Sequence, residues 1–292
     1  MPLFLHLPFS DIFAKKIVVT MVRCIIHCAD IHIRPYQRMS EYAEQMETFV
    51  GKCSEIASGY DRDEVRILIC GDILHNKNQL SPELIVFVSY FLRRLEEIAT
   101  VLVIAGNHDL IVNNMSRTDS ISAIFDTADF RDCKFLDRML GYESGCVEDD
   151  NIVWALYSIY DGFKRPDIET LDRDGKVVVG LFHGAVNGVT LNNGTVMDEG
   201  IDGSVFAGCD VVMAGDIHKR QTIRYGGVDV VYSGSLVQQT FGETVTQHGF
   251  VVWKVEEMTM DYVDLPNEYG MYDLEIRQIE DIDNDKERLI NL

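Results

Sequence analysis

The chain has 292 residues, and its 47% of hydrophobic and 25% of charged residues exclude disorder, collagen and coiled coil as descriptions of the whole. Lys and Arg number 26 against 47 Asp and Glu, so the net charge is −21 and general affinity for nucleic acid is expected to be poor. A polyanionic substrate would need local positive charge from bound metal ions, a small basic patch or a partner subunit. The seven cysteines include no Cys-x-x-Cys pair, which indicates reduced, buried thiols in an intracellular protein.

Residues 1–20 are predicted to be an N-terminal extension. They are apolar, but Pro2, Pro8 and Asp11 interrupt them, and neither a charged end nor a small-residue cleavage site indicates a signal peptide. No apolar run reaches the ~18 residues that a membrane span needs. We therefore expect no membrane segment and a cytoplasmic location, in the host cytoplasm if the protein is viral.

Five short apolar runs share one design, in which a candidate buried strand ends in polar side chains. They cover residues 22–28, 66–70, 101–105, 177–182 and 211–214. Apolar residues spaced by three and four predict a helix over residues 38–58. Ser81 and Pro82 mark the start of a second helix that runs to about Ala99 and is either core or a dimer seam. The alternation predicts an α/β layered sandwich of β-sheets flanked by helices.

The second half of the chain carries weaker signals. Residues 139–176 are polar and loop-like apart from a strand over 153–159, and two further strands are predicted over 228–232 and 249–255. We expect one domain over residues 21–260. Residues 261–292 are too few to fold alone and are interpreted as the start of a further domain.

Residues that can bind metal ions follow each of the five candidate buried strands. Because parallel strands present their carboxyl ends at one edge of a sheet, these side chains are expected to converge there. Imidazole and carboxylate ligands without thiolates suit Mn²⁺, Mg²⁺, Fe²⁺ or Zn²⁺, and there are enough of them for two ions. The residues are Asp30, His32, Asp72, His75, Asn107, His108, His183, Asp216 and His218.

Together and in this order, the motifs resemble those of calcineurin-like metallophosphoesterases. They are Asp30-x-His32, Gly71-Asp72, Gly106-Asn107-His108-Asp109, His183 and Gly215-Asp216-x-His218. Within that superfamily, about residues 22–256 resemble the SbcD-type DNA repair exonucleases, including the exonuclease subunit of large phages. Three details carry this closer resemblance: His75 in the second motif, the absence there of the Asp-Arg-Gly expected of protein phosphatases, and the segments 232–236, 241–243 and 248–250.

The resemblance implies a role for each residue. Its ligand sets are Asp30, His32 and His218 for a first metal ion, Asn107, His183 and Asp216 for a second, and Asp72 as the bridge. His108 would protonate the leaving oxygen with Asp109 orienting it, and His75 would place the substrate phosphate or nucleotide. The family usually has His where Asp216 stands, but a carboxylate still ligates. We therefore expect two divalent ions, Mn²⁺ or else Mg²⁺.

The implied activity is metal-dependent DNA cleavage, exonucleolytic or also endonucleolytic, in repair, recombination or replication. Lys219 and Arg220 are candidate phosphate contacts and Ser235 is a candidate DNA contact, with a solvated loop and a tight turn as the alternatives. The implied partners are DNA, an SMC-like ATPase of the SbcC type and a second copy of the chain. A capping domain follows in the family, so residues 261–292 would be its incomplete start.

Two other functions stay open. One is a phosphoesterase of the same fold that acts on nucleotides or phosphoproteins, which His75 and the segment 234–243 disfavour. The other is a catalytically inactive scaffold that binds DNA ends, which the nearly complete set of ligand motifs disfavours.

Overall fold

The computed structural model describes residues 21–34, 39–77, 79–110, 114 and 117–271. The predicted extension 1–20 and most of the segment 261–292 lie outside the described residues. In chain order, the helices and strands are β1 (Cys24–Cys28), α1 (Met39–Ala57), β2 (Val65–Cys70), α2 (Pro82–Glu96), β3 (Thr100–Ile104), α3 (Ser120–Thr127), β4 (Cys133–Phe135), α4 (Leu136–Met139), β5 (Gly145–Asp149), β6 (Ile152–Tyr157), β7 (Val177–His183), β8 (Val211–Gly215), β9 (Gln221–Tyr225), β10 (Val228–Tyr232), β11 (Gly249–Lys254) and β12 (Thr259–Asp264).

The strands form two six-stranded sheets, in the orders β12-β11-β1-β2-β3-β4 and β5-β6-β7-β8-β10-β9. In the first sheet β1 to β4 are parallel, and β11 and β12 continue it in antiparallel fashion. In the second sheet β6, β7, β8 and β10 are parallel, with β5 and β9 as antiparallel edge strands. Each sheet therefore brings the carboxyl ends of its parallel strands to one edge.

Three apolar layers hold the sheets in place. Ile25 and Leu68 of the first sheet pack with Leu181 and Met213 of the second between the two sheets. Helices α1, α2 and α3 cover the outer face of the first sheet. The outer face of the second sheet is covered by loops and short 3-10 turns, among them the turn that holds Phe206, and by none of the described α-helices. The predicted layered α/β fold is confirmed, with its main helices on one side.

The two predicted helices are present. Helix α2 begins where expected, because the Ser81 hydroxyl accepts a hydrogen bond from the Leu84 amide and Pro82 occupies the first turn. It ends at Glu96, a few residues before the predicted end. Val86 and Tyr90 remain 68% and 49% exposed, so the chain itself does not cover this helix on all sides.

Several elements were not predicted. Residues 145–149 were expected to be loop but form β5, and β4, β9, β12, α3 and α4 also lack a clear sequence signal. Strand β5 reads Gly-Cys-Val-Glu-Asp and is only partly buried, so it shows neither alternation nor an apolar run. Its backbone hydrogen bonds to β6 define it, and these depend on tertiary placement.

All seven cysteines are unpaired, as expected, and only Cys146 is not fully buried. Burial raises the pKa of the Cys24 thiol to about 11, which keeps it protonated and unreactive. Within the described part of the chain, no helix combines the length and the apolar character that crossing a bilayer requires.

Candidate metal centre

The predicted ligands converge at the carboxyl edge that the two sheets share. Ligand atoms of Asp30, His32 and His218 lie within 4.8 Å of one another. Asp30 also belongs to a second group of the same compactness, with Asp72 and His183. The two groups overlap at Asp30, and Asp72, the predicted bridge, lies 3.5 Å from His32 Nε2 in the first and 3.4 Å from His183 Nε2 in the second, so two adjacent cation positions fit. A third group of the same compactness joins His32 to His75 and His108.

The remaining predicted ligands flank the second group. The Asn107 side-chain oxygen lies 3.4 Å from His183 Nε2, and Asp216 Oδ1 lies 3.9 Å from the same nitrogen. The backbone amide of Asp216 also donates to both Asp30 oxygens, at 3.0 and 3.1 Å. Asp216, which departs from the pattern of the family that the chain resembles, therefore lies beside both His183 and Asp30.

Three histidines are oriented by hydrogen bonds at their outer nitrogen. A carbonyl or carboxylate oxygen can only accept, so each Nδ1 carries a proton and each Nε2 is directed at the site. The contacts are His108 Nδ1 to the His75 carbonyl (2.7 Å), His183 Nδ1 to the Cys70 carbonyl (2.7 Å) and His218 Nδ1 to Glu243 Oε1 (2.8 Å).

The charges of the site fit divalent cations. Asp30 and Asp72 are fully or almost fully buried, and neither has an ion pair with Lys or Arg among the described residues. His32 Nε2 lies 3.0 Å from His218 Nε2 and 3.5 Å from Asp72 Oδ2, while His32 Nδ1 is buried without a partner. Buried carboxylates need compensating charge, and hard cations bound by oxygen and imidazole supply it.

Burial and neighbouring charges shift the pKa values of the carboxyl groups at the site. Burial raises the pKa of Asp30 to about 7 despite the opposing effect of His218 and His183. Burial, and secondarily the Asp72 charge, raises the pKa of Asp109 to about 8. Burial would also raise the pKa of Asp72, but His183 and His32 outweigh it and hold that pKa below its usual range.

The pKa values of the histidines at the site are also shifted in opposite directions. Burial lowers the pKa of His32 to about 2 and that of His75 to about 4, and Arg34 adds to the effect at His75. Burial also opposes the charge of His218, but Glu243 and Asp30 outweigh it and raise the pKa of His218 to about 9. A cation bound here would replace the proton that His218 Nε2 shares with His32 Nε2, so metal binding and protonation compete.

Four of the ten non-glycine residues with positive φ in the described part of the chain are predicted ligands. Asp30, His32, Asp72 and Asp216 have φ values of 52°, 50°, 54° and 84°, in the left-handed region that side chains other than glycine rarely adopt. Such conformations cost roughly 1–3 kcal/mol each and persist where function requires them. Four of the seven predicted ligands are therefore held in strained positions by the surrounding fold.

Gly215 shows why a glycine precedes a ligand motif. A Cβ at this position would lie 2.8 Å from His183 Nδ1 and would collide with the Cys70 carbonyl. The missing side chain leaves room beside the end of β8 for the Cys70 carbonyl, at the end of β2, and for the His183 ring, at the end of β7, that donates to it.

Glu243 orients the ligand His218, a role that the sequence did not suggest. It is 7% exposed and also accepts hydrogen bonds from the Gln239 amide (2.9 Å) and the Ser235 hydroxyl (3.2 Å). Burial alone would raise the pKa of Glu243, but His218 outweighs it and lowers that pKa. The signal available was its membership of segment 241–243, which carries no metal-ligand pattern of its own.

The Asp109 side chain bonds backbone amides, and no described contact joins it to the His108 ring. Its buried carboxylate accepts hydrogen bonds from the backbone amides of Asp72 (2.8 Å), Leu74 (3.1 Å) and Gly106 (3.0 Å). Asp109 therefore joins the loops after β2 and β3, whereas the His75 carbonyl orients His108. The His75 ring stacks on the His108 ring, with centroids 5.6 Å apart and an interplanar angle of 24°.

Two of the three predicted DNA contacts have partners within the chain. Ser235 is fully buried and bonds Glu243 and His248, so its side chain is out of reach of DNA. Arg220 pairs with Asp264 and lies 5.1 Å from the centre of the Tyr262 ring, which ties it to β12. Lys219 is exposed, and its phosphate contact stays a prediction.

Comparison with known proteins agrees with the geometry. The family model described as calcineurin-like phosphoesterase matches residues 25–234. A protein of Acanthamoeba polyphaga mimivirus, named as uncharacterized, is 34% identical over 260 residues, which is 86% of this chain and 19% of that protein. The chain thus spans about a fifth of the length of this curated relative.

A solved structure described as a novel archaeal phosphodiesterase has 14% identity and a TM-score of 0.39, covering 83% of this chain and 99% of the other. The family model spans most of the chain, and five of the seven predicted ligands fall in two compact groups that share Asp30. The chain belongs to the calcineurin-like phosphoesterase family.

Proposed function

We propose that the chain is a metal-dependent phosphodiesterase that cleaves DNA, as an exonuclease and also as an endonuclease. The observation that carries this proposal is His75, which stacks on His108 and meets His32 edge-on at 5.6 Å. Because burial lowers its pKa to about 4, His75 is neutral at pH 7. A neutral imidazole can hydrogen-bond a phosphate oxygen without adding charge.

The charge near the site favours a diester over a monoester. A phosphate monoester carries about two negative charges near neutral pH and is commonly bound by arginine forks, whereas a diester carries one. The described basic side chains at the site include Lys77, which contacts the Asn107 carbonyl at 3.5 Å, Arg34, whose charge acts on His75, and Lys219, which follows His218 in the chain. We infer that two cations and few basic side chains suit the single charge of a DNA linkage.

The chain's own residues would divide the work as follows. Asp30, His32 and His218 would hold one cation, Asn107, His183 and Asp216 would hold the other, and Asp72 would lie between them. Two divalent ions in such a site would lower the pKa of a bound water and screen the phosphate charge. The attacking water would lose one proton to solvent and its oxygen would bond to phosphorus as the bond to the leaving oxygen breaks. His108 in its imidazolium form would give that oxygen a proton from Nε2, since Nδ1 is engaged by the His75 carbonyl.

The remaining features belong to the same proposal. Manganese is the proposed ion, because the extra carboxylate of Asp216 suits a hard cation. An SMC-like ATPase partner would help hold DNA against the net charge of −21. The exposed Val86 and Tyr90 support pairing of two copies through α2.

The test uses end-labelled single- and double-stranded DNA, with bis(p-nitrophenyl) phosphate and p-nitrophenyl phosphate as small diester and monoester. Each is incubated with Mn²⁺, Mg²⁺ or EDTA, beside His108→Ala. We expect Mn²⁺-dependent cleavage of DNA and of the diester, reduced in His108→Ala by roughly 100-fold or more.

Hydrolysis of the small diester without cleavage of DNA would leave a phosphodiesterase of another substrate class. Preference for the monoester would favour the nucleotide or phosphoprotein alternative. DNA binding with no hydrolysis of any substrate would favour the scaffold.

A further inference from the structure

A phenylalanine is exposed beside the metal centre. Phe241 is 65% exposed and is the most exposed aromatic residue in the described part of the chain. It occupies the second position of a tight turn over residues 240–243, closed by the Glu243 amide on the Thr240 carbonyl at 3.2 Å. Single exposed apolar residues are common on proteins, so exposure alone assigns nothing.

The attachment of this turn to the site distinguishes it. Its last residue, Glu243, bonds the metal ligand His218 through one carboxylate oxygen. Through its other oxygen it accepts from the Gln239 amide, and the Gln239 side chain donates 3.0 Å to the Ile31 carbonyl, between two predicted ligands. The turn that carries Phe241 is therefore hydrogen-bonded to His218 itself and to Ile31, the residue between Asp30 and His32.

A positively charged side chain, that of Arg34, is hydrogen-bonded next to this turn. Arg34 donates from Nη2 to the Gln239 carbonyl at 3.0 Å, next to the turn. The residue before it, Ile33, accepts a hydrogen bond from the His75 amide at 3.1 Å. Arg34 therefore lies next to the turn of Phe241 and directly follows the residue that bonds the His75 backbone.

An exposed aromatic face beside a guanidinium matches the two parts of a nucleotide. Aromatic rings stack on nucleobases of any sequence, and this attraction needs no positive charge, which suits a chain of net charge −21. The guanidinium can contact a phosphate. Resting on the DNA-cleaving function proposed above, we propose that Phe241 and Arg34 form a subsite for a nucleotide next to the scissile phosphate, with Phe241 stacking on its base.

The test measures binding of a short, fluorescein-labelled single strand and of an abasic strand of equal length, in a His108→Ala background that prevents cleavage. Phe241→Ala should weaken binding of the base-containing strand by roughly tenfold and leave the abasic strand unchanged. Phe241→Trp should retain affinity, and Phe241→Leu, which is apolar but cannot stack, should lose it. Met21→Ala, an exposed apolar residue (48%) just before β1, is the matched control.

Salt dependence separates the two residues. Loss of one phosphate contact reduces the slope of log affinity against log salt by about 0.7 for a single strand. Arg34→Gln should show this reduction and Arg34→Lys should show less of it, whereas Phe241→Ala should keep the wild-type slope.

Failure of this inference differs from failure of the proposed function. Wild-type protein that neither cleaves nor binds DNA refutes the function. Wild-type protein that cleaves DNA, with Phe241→Ala binding both strands normally or losing both equally, refutes the stacking subsite. An unchanged salt slope in Arg34→Gln refutes the phosphate contact.

Discussion

At the amino edge of the sheets, buried Arg66 on β2 and Asp149 on β5 share two hydrogen bonds of 2.7 Å, and Trp154 donates to the same carboxylate at 3.0 Å. At the carboxyl edge, Asp30 and Asp72 are more deeply buried, yet neither pairs with Lys or Arg among the described residues. The pair of Arg66 and Asp149 compensates its own charge and joins the two sheets. The charge of the carboxylates at the carboxyl edge is compensated only when cations are bound.

The difference indicates where the fold is built for stability and where it is built for binding. Arg66 lowers the pKa of Asp149 and outweighs the effect of burial, so that carboxylate is stabilised in its charged form. The pKa of Asp30 is raised to about 7, so its charge is costly in the protein alone. The positive φ values of Asp30 and Asp72 add backbone strain at the same edge.

The largest effect is expected from breaking the amino-edge pair. Asp149→Ala leaves the Arg66 guanidinium, 6% exposed, without its main partner, which should lower the free energy of unfolding by about 3–5 kcal/mol. Hydrolytic activity well below the melting temperature should persist. Urea unfolding measures the loss, and Asp229→Ala in the exposed pair with Arg224 is the control, expected to cost less than about 1 kcal/mol. Equal losses in both variants would contradict the comparison.

The second effect concerns pH in EDTA. Burial raises the folded-state pKa of Asp30 from 3.8 to about 7, so the folded protein binds more protons than the unfolded chain between those values. The free energy of unfolding should therefore fall as pH rises from about 4 to about 7, by an amount on the order of 3 kcal/mol. Asp30→Asn should reduce this fall. Identical pH profiles of the two proteins by thermal melting would count against an uncompensated Asp30.

The third effect is on catalysis. Asp72 lies 3.5 Å from His32 Nε2 and 3.4 Å from His183 Nε2, the position of a shared ligand. Asp72→Asn should lower diester hydrolysis by more than the roughly 100-fold typical of a lost outer partner. Rates at saturating Mn²⁺ measure it, with a melting curve to confirm folding. Activity within tenfold of wild type would contradict the role of Asp72 as a ligand shared by the two cations.

The smallest effect is expected outside the ligand set. Glu243→Gln weakens the acceptor that orients His218, and loss of such a partner typically costs 10- to 100-fold, about 1.4–2.7 kcal/mol, in metal affinity or activity. A titration of activity against Mn²⁺ should show a higher metal requirement and recovery at high concentration. Thr240→Val, which removes a hydroxyl 3.4 Å from Glu243, is the control and should change little.

Local patterns predicted much of the fold and the composition of the site. Five buried strands can be recognised in the sequence as apolar runs, because each is buried on both faces of its sheet. They lead to Asp30, Asp72, His108, His183 and Asp216. Parallel pairing then brings their carboxyl ends together. The short edge strands were missed because their stability comes from a neighbour's backbone and their sequences are mixed.

The hydrogen-bond and ion-pair partners of the side chains in the site could not be predicted from the sequence. Asp109 bonds backbone amides 37 and 35 positions away, and Glu243 meets His218 across 25 positions. Arg220 looked like a free cation next to a ligand, but β12 supplies Tyr262 and Asp264 as its partners. Such pairings depend on loop paths and strand register, which no local spacing encodes.

The sequence by itself therefore determined which chemistry the protein can carry, because ligand type and position after a strand are local properties of the chain. Only the tertiary structure decided how that chemistry is held. It set the left-handed backbone at Asp30 and Asp72, the orientation of His218 by Glu243, and the turn that exposes Phe241. These features arise from contacts between distant segments, whose free energy is released only when both sheets are packed.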